Sequence, residues 1–441
     1  MCRSSRGLSN LGVFFYGARA EYLLRIAQVL RSDAGQLDAR ARLFTREHGK
    51  VLKEAKLELS RLAERFELTA SFAPELAKEK TLTDGPFDTI VFRQPRGVAA
   101  LVVPWNWPLS ILGAKLPQAL LAGNTVVVKP SKESSLTPAL TIRKMAELLP
   151  PGVINLVTGS SAIIGDALIT HPLVRKINFT GSTEVGPHVM SKAASTLTPV
   201  TLELGGNDAG LILDDAKLDG GALQRLYTGI FLSTGQICMA LKRLYVHKSR
   251  FDEVVAGLTA ICDVQVVGDG LVPEVTMGPL NNRDQYNIVR AIVDEALAAG
   301  CRVIESGAIH SETDFGRGHF VRPTIVLNPD RRLKVVADEQ FGPVIPIIPF
   351  SDDDEAIELA NDSNFGLCSL VWTSNRERAL RLARRLQAGY TYLNSHGPTA
   401  QDSRAPFGGF KQSGIGRNLG LEGILEFQDY HSVSARSGWP S

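Results

Sequence analysis

Along the first part of the chain, apolar residues recur at steps of three and four amid many charges. Between Ala18 and about Leu76 this spacing (Leu23, Leu24, Ile26, Ala27 and Leu30, for example) predicts amphipathic helices. From Asp84 to Pro95 the period drops to two, with Phe87, Thr89, Val91 and Arg93 on one side, which predicts a strand leaving the helical block. Short β-branched runs then alternate with helical stretches: 98–103, 125–129, 154–157 and 176–180 are each followed by a segment of helical period. Strands that read as continuous apolar runs between helices belong to a parallel sheet covered on both faces.

A second series of the same kind runs from about Asn207 to Asn394, with strand candidates at 243–247, 264–267, 344–350 and 369–373. The segment 427–435 alternates again and is expected to pair with the strand near residue 90 as a small appended sheet. The predicted fold class is therefore α/β, with two doubly wound parallel sheets and a small β extension. No internal repeat is visible.

Composition changes this picture little. A chain of 441 residues is too long for one common domain, and 44% hydrophobic with 21% charged residues is ordinary for a globular protein. Lys plus Arg number 48 against 46 Asp plus Glu, without a dominant basic block, so nucleic acid is not an expected partner. The most apolar long stretch, 97–113, contains Pro104, Asn106 and Pro108 and cannot be an ordinary spanning helix, so no membrane association is expected. Five cysteines at wide spacings, without a CxxC pair or a nearby histidine, predict neither a disulfide framework nor a metal site. They fit a reducing, cytoplasmic setting. Arg3, Arg6 and Arg19, with serines and no acid before Glu21, leave organelle import open.

The chemistry concentrates in a few segments. In Ser233-Thr-Gly-Gln-Ile-Cys238-Met a small, polar turn precedes a cysteine, whereas Cys262, Cys301 and Cys368 read as small core residues. Thiolate attack on a carbonyl needs a base and donors for the resulting oxyanion. Thr201-Leu-Glu203-Leu-Gly-Gly206 places a carboxylate at the end of an apolar run, where burial would raise its pKa toward that of a general base. Pro104-Trp-Asn106-Trp-Pro108 is a stiff turn holding an amide in one place, able to donate to an oxyanion beside the Cys238 backbone N–H. There is no G-x-G-x-x-G. Instead Phe179-Thr-Gly-Ser-Thr-Glu-Val-Gly186 follows a strand and opens a helix, offering backbone N–H groups and the Ser182 hydroxyl to a pyrophosphate. Val126-Val-Val-Lys129-Pro-Ser131 ends another strand with a lysine at the carboxyl edge.

Taken in order, these segments resemble the aldehyde dehydrogenase superfamily from about Leu23 to Ser434. Met277-Gly-Pro279, Glu339-Gln-Phe-Gly-Pro343, Leu393-Asn394, Pro406-Phe-Gly-Gly409 and Lys411-Gln-Ser-Gly414 add to the likeness. The resemblance implies a non-acylating, NAD(P)-dependent enzyme that turns an aldehyde into a carboxylic acid. Cys238 would attack the aldehyde, Asn106 would hold the thiohemiacetal oxyanion, and Glu203 would activate the water that hydrolyses the thioester. It implies that Lys129 and Glu339 hold the two riboses, that Phe341 lies by the nicotinamide, and that Trp105 and Gly165 line the cofactor cleft. Gly181, Ser182 and Gly186 complete the expected dinucleotide site, with Ser131 and Lys132 at its ribose end. Trp107, Ala114, Ile237, Met239, His396 and Phe407 are expected around the substrate tunnel. A Rossmann-like dinucleotide domain (1–83 and 98–205), a catalytic domain (206–410) and an oligomerisation segment (84–97 and 411–441) follow, with a homodimer or homotetramer as the expected assembly.

Three departures qualify the likeness. Where many NAD-using members carry a glutamate three residues after the lysine, this chain has Lys132, which favours a 2′-phosphate and hence NADP. Pro187 falls in the first turns of a helix, where it is expected to disturb the register. Residues 1–17 do not look like the opening strands of the family, which are expected to be missing. The tunnel positions are mainly apolar and hold no arginine, Arg404 being the nearest, which predicts a hydrophobic or aromatic aldehyde. The rivals are a dehydrogenase passing the acyl group to coenzyme A, which Glu203 opposes, and a catalytically silent relative, opposed by intact Cys238, Glu203 and Asn106.

Overall fold

The computed structural model describes residues 15–438 apart from residue 33, so Cys2 and most of the arginine-bearing start lie outside the described residues. The helical block comprises Tyr16–Ser32, Ala34–His48, Leu52–Ala70 and Ala73–Leu76. Its apolar stripes (Leu23, Ile26 and Ala27; Leu62, Ala63 and Phe66) close one core over the strands Val98–Val102 and Thr125–Lys129.

Two large sheets organise the rest. The first has six strands, in the order Gly414–Ile415, Val200–Glu203, Val174–Thr180, Val98–Val102, Thr125–Lys129, Ile154–Leu156. The second has seven, in the order Arg302–Glu305, Thr324–Leu327, Val344–Phe350, Leu241–His247, Asp208–Ile212, Cys368–Trp372, Tyr390–Leu393. Central strands such as Thr125–Lys129 and Asp208–Ile212 are buried on both faces, which is why they read as unbroken apolar runs rather than alternating ones. Each sheet is parallel except for one antiparallel edge strand, Gly414–Ile415 in the first and Arg302–Glu305 in the second. Neither edge was predicted, because two to four residues carry too little period to see.

The strand Phe87–Pro95 pairs antiparallel with Gln428–Arg436 along its whole length, with Ile90 opposite Val433, as the alternation at both places predicted. Lys80–Leu82 adds a third strand. One expected strand falls elsewhere: Val266–Val267 leaves the large sheet and pairs with Ala308–Ile309, with a single bridge from Val267 to Met277.

Pro187 does not disturb its helix. The helix spans Val185–Ala194, so the proline is its third residue, in the first turn, where its fixed φ fits and a missing N–H costs least. No helix is long and apolar enough to cross a membrane among the described residues.

Candidate active site

The first sheet gathers its polar residues at one edge. Register places Thr180 beside Glu203, and Val102 beside both Phe179 and Lys129, so Glu203 and Lys129 lie at the carboxyl ends of parallel strands with two strands between them. In doubly wound sheets that edge is where ligands bind. The chain leaving Val102 makes the Trp105-Asn106-Trp107 turn over the same edge, and Pro108 opens the helix Pro108–Gly113. Cys238 comes from the other sheet, three residues before Leu241–His247.

A single cavity joins these parts, lined by Cys238, Glu203 and Asn106 together. Trp107, Ala114, Ile237, Met239 and Phe407 also line it, as expected of the substrate positions. His396 does not. Its side chain is fully buried, with Nε2 3.3 Å from Asp208 and its ring packed on Tyr392, so it points into the core behind the site. The expectation of a wall without arginine also fails, because Arg61 and Arg65 line the cavity. Arg404 is instead paired with Asp402 on the exposed surface.

The cysteine loop is strained and heavily tied. Ser233 and Thr234 both adopt left-handed backbone (φ 55° and 58°), followed by Gly235 at φ 70°. Non-glycine residues there cost about 1–3 kcal/mol each and persist only where the surroundings hold them. Here the Ser233 N–H donates to Glu54 Oε1 (2.9 Å), the Thr234 hydroxyl donates to the Gly278 carbonyl (3.0 Å), and Gln236 Oε1 accepts from the Asn281 N–H (2.9 Å). At Gly235 a Cβ would lie 2.2 Å from the Gly342 carbonyl oxygen, so only glycine fits. The Asn106 amide donates to the Gln236 carbonyl (3.0 Å), which binds the Asn106 turn to the cysteine loop.

A buried ion pair holds the Asn106 turn. Lys50 Nζ bonds Glu58 Oε2 (2.5 Å) and donates to the Asn106 carbonyl (3.0 Å), and Glu58 Oε1 accepts from the Leu109 and Ser110 N–H groups (2.8 and 3.0 Å). Lys50 also stands over the rings of Phe44 and Trp107. Sequence reasoning missed Lys50, Glu54 and Glu58. One signal was there: Glu58 falls in the apolar stripe Ala55, Leu59, Leu62, Phe66 of its helix, where a solvated acid has no place.

Burial governs the titrating groups. It raises Glu203 to about 8, offset only in part by Lys115, Arg417 and the Asn418 amide, and neither carboxylate oxygen has a well-formed hydrogen bond. Burial lowers Lys115, bonded to Asn178, to about 7, with Glu203 pulling the other way. The Cys238 thiol is pushed up to about 12 by burial, against which Lys242 works.

The dinucleotide positions form a second group. Glu339 Oε1 accepts from the Gly206 N–H (3.0 Å), and burial raises this carboxyl to about 7. Trp105 and Phe341 meet edge to face at 5.5 Å. Lys129 is buried, and its ammonium makes one long contact, 3.4 Å to the Pro130 carbonyl, among the described residues, so it has donors left for a phosphate or ribose. Gly181 and Ser182 lie in the turn between Val174–Thr180 and Val185–Ala194, and a Cβ at Gly186 would lie 2.4 Å from Leu204, which keeps that helix close on the sheet. Gly165 sits in the helix Ser161–Ile169, where an added Cβ would touch Ser161 at an ordinary 3.7 Å. The Ser131 hydroxyl accepts from the Glu133 N–H, and Lys132 is exposed and paired with Glu133 at 3.2 Å. No cluster of metal-ligating side chains occurs among the described residues.

A sequence model of the aldehyde dehydrogenase family matches residues 15–433. The chain belongs to that family. This aldehyde dehydrogenase is 38% identical over 416 residues to a 3-succinoylsemialdehyde-pyridine dehydrogenase of a Pseudomonas species, covering 94% of this chain and 85% of the relative. It is 37% identical over 426 residues to a phenylacetaldehyde dehydrogenase of Pseudomonas fluorescens, covering 94% and 83%. Among solved structures, the betaine aldehyde dehydrogenase of Staphylococcus aureus in complex with NAD+ superposes with a TM-score of 0.91 at 30% identity, covering 99% of this chain and 86% of that one. An NADP-dependent enzyme of E. coli superposes with a TM-score of 0.91 at 33% identity, covering 98% and 88%. The α/β architecture and the dehydrogenase class expected from the sequence both hold.

Proposed function

We propose that this enzyme oxidises a hydrophobic or aromatic aldehyde to its carboxylic acid through a covalent intermediate on Cys238, with NAD or NADP as hydride acceptor. The observation that carries this reading is the single cavity shared by Cys238, Glu203 and Asn106.

The Cys238 thiol rests neutral in its buried setting, and the unpartnered Glu203 carboxylate is the base on hand to take its proton. As sulfur bonds to the carbonyl carbon, the oxygen gains charge beside the Asn106 amide. That amide has been kept in place by the Lys50–Glu58 pair rather than reorganised at the moment of reaction. The nicotinamide, when bound, accepts the hydride from the aldehyde carbon, which leaves a thioester on Cys238. Once Glu203 has passed the thiol's proton to solvent, it takes a second from water as the water oxygen attacks the thioester carbon. The carbon–sulfur bond breaks, the acid departs and the sulfur regains a proton. Aldehyde, water and oxidised dinucleotide thus give acid, reduced dinucleotide and a proton.

Lys129, Glu339, Trp105 and Phe341, with the 181–186 turn, would hold the dinucleotide, Lys129 through donors that the fold leaves free. Lys132, exposed where a 2′-phosphate is expected, supports NADP being used at least as well as NAD. The domain roles follow the sheets: the six-stranded unit (98–205 with the preceding helices) for the dinucleotide, the seven-stranded unit (206–410) for catalysis, and the segments 84–97 and 411–441 for assembly as a homodimer or homotetramer. A cytoplasmic setting suits a nucleophile that works only as a reduced thiol. The aromatic groups named in two relatives, a pyridine and a phenylacetaldehyde, agree with the apolar wall of Trp107, Ile237, Met239 and Phe407.

The test is NAD(P)H formation at 340 nm over an aldehyde panel, with both dinucleotides and with coenzyme A added in one arm. We expect the free acid as product, NADP at least matching NAD in kcat/KM, and complete loss of turnover in Cys238→Ala. Turnover surviving in Cys238→Ala, or acyl-coenzyme A as the product, overturns the reading.

A further inference from the structure

The helix Leu52–Ala70 carries a charged stripe of Glu54, Glu58, Arg61 and Arg65, spaced by four, three and four residues, of which Arg61 and Arg65 line the cavity. Glu54 holds the cysteine loop and Glu58 holds the Asn106 turn, so the start of the stripe marks where the reacting carbonyl lies. Arg61 and Arg65 then stand roughly 4 Å and 10 Å further along the axis than Glu58, at a rise of about 1.5 Å per residue. Between the two ends the wall is apolar, with Trp107, Ile111, Met239 and Phe407.

The arginines carry more charge and more donors than the protein satisfies. A guanidinium has five N–H donors and keeps its charge at any physiological pH. Arg61 donates to the Pro398 carbonyl (3.2 Å), and Arg65 to Ser403 Oγ and Gln401 Oε1. Among the described residues no carboxylate lies within ion-pair distance of either, and Glu64, between them in sequence, faces solvent. Arg404, by contrast, pairs with Asp402, and Arg378 with Asp214 and Asp353. Two adjacent part-buried cations left without an anion at the far end of an apolar cavity are complementary to an anion brought by the ligand. The carbonyl and side-chain acceptors around them hold the guanidinium planes in place and leave the charge itself unneutralised.

Resting on the dehydrogenase reading above, we infer that the preferred substrate is an aldehyde with an apolar, aromatic or chain-like body and a carboxylate at its far end, read by Arg61 and Arg65. The site would thus take a dicarboxylic semialdehyde or a formyl-aryl carboxylate of that length. The product is a dicarboxylate, whose second negative charge forms at Cys238, away from the arginines.

The comparison is kcat/KM for 4-formylbenzoate and 4-formylphenylacetate, each against its primary amide of the same shape. With the unaltered enzyme we expect at least one carboxylate to exceed its amide tenfold or more, and the ratio to shrink as salt is raised. In Arg65→Met and Arg61→Met the ratio falls toward one through KM, and Arg65→Lys retains part of it. Equal rates for acid and amide in the unaltered enzyme overturn this inference even if both arginine variants fail to fold. A preserved ratio in folded variants overturns it too. Failure of the underlying reading looks different, because then no NAD(P)H forms with acid or amide.

Discussion

At the scale of single residues, the site trades stability for reactivity. Glu203 is held unpartnered in a buried place, which raises its carboxyl to about 8, and a base is useful only when deprotonated. The hydrolytic step should therefore gain rate with pH on a limb centred near 8. Lys115 is among the cations opposing that rise, so Lys115→Met should move the limb to higher pH. The sign of the stability effect is opposite. A carboxyl whose folded pKa lies above its unfolded value loses stabilisation as pH climbs from about 4.5 toward 8. Glu203→Gln should thus melt no lower than the parent at pH 6 and clearly higher at pH 8.5, while both NAD(P)H formation and release of the acid slow. A flat pH profile of kcat from 6 to 9, or a variant less stable at pH 8.5, would contradict this account. Cys238, Glu203 and Asn106 were legible in the sequence because each sits in a short motif whose glycines, prolines or apolar neighbours declare an unusual environment. Arg61 and Arg65 were not, since a charge on an amphipathic helix looks the same whether it faces water or a cavity. His396 shows the converse, a polar residue beside a site motif that packs inward against Asp208.

At the scale of elements, one helix unites the site. Leu52–Ala70 turns its apolar stripe to the core and Arg61 and Arg65 to the cavity, and through Glu54 and Glu58 it fixes the Cys238 loop and the Asn106 turn to the same rod. The two acids should respond differently to mutation. Glu54, which burial raises to about 7, needs only an oxygen to accept from the Ser233 N–H, so Glu54→Gln should keep most activity. Glu54→Ala frees a strained loop and should lower kcat tenfold or more, since misplacing reacting groups by about 1 Å can cost 10²-fold. Glu58→Gln strands the buried Lys50 charge, a loss of about 3–5 kcal/mol, and should lower both the melting temperature and kcat. Stopped-flow burst amplitude and calorimetry on the three variants check this; Glu54→Gln falling as far as Glu54→Ala would show that the charge, not the acceptor, matters. Strands were legible for the same reason that helices were. Thr125–Lys129 and Val344–Phe350 are long apolar runs buried on both faces, whereas the edge strands Gly414–Ile415 and Arg302–Glu305 are short and part-exposed, so their pairing depends on neighbours far away in sequence.

At the scale of the whole molecule, the three-stranded sheet of Lys80–Leu82, Phe87–Pro95 and Gln428–Arg436 has little reason to exist alone. Three strands are stable in water when one face packs on something, yet here neither face is well covered. Leu82, Phe87, Ile90, Tyr430 and Val433 are all exposed on it, and Ile90 and Val433 are directly paired. An apolar sheet standing off the body is the kind of surface that a second copy of the chain covers, because a symmetric dimer buries the same patch twice. The alternation that made both strands readable from sequence is the same property, and it leaves Ile90 and Val433 together on one face, half exposed among the described residues. Light scattering of the unaltered enzyme should therefore give at least twice the monomer mass. Val433→Glu together with Ile90→Glu places two buried like charges opposite each other and should release monomers of lower melting temperature. Since neither residue lines the cavity, any loss of activity in that variant should follow the melting curve rather than the substrate concentration. A monomeric parent enzyme, or a double variant that stays assembled, would mean that this sheet is held by something other than a second copy.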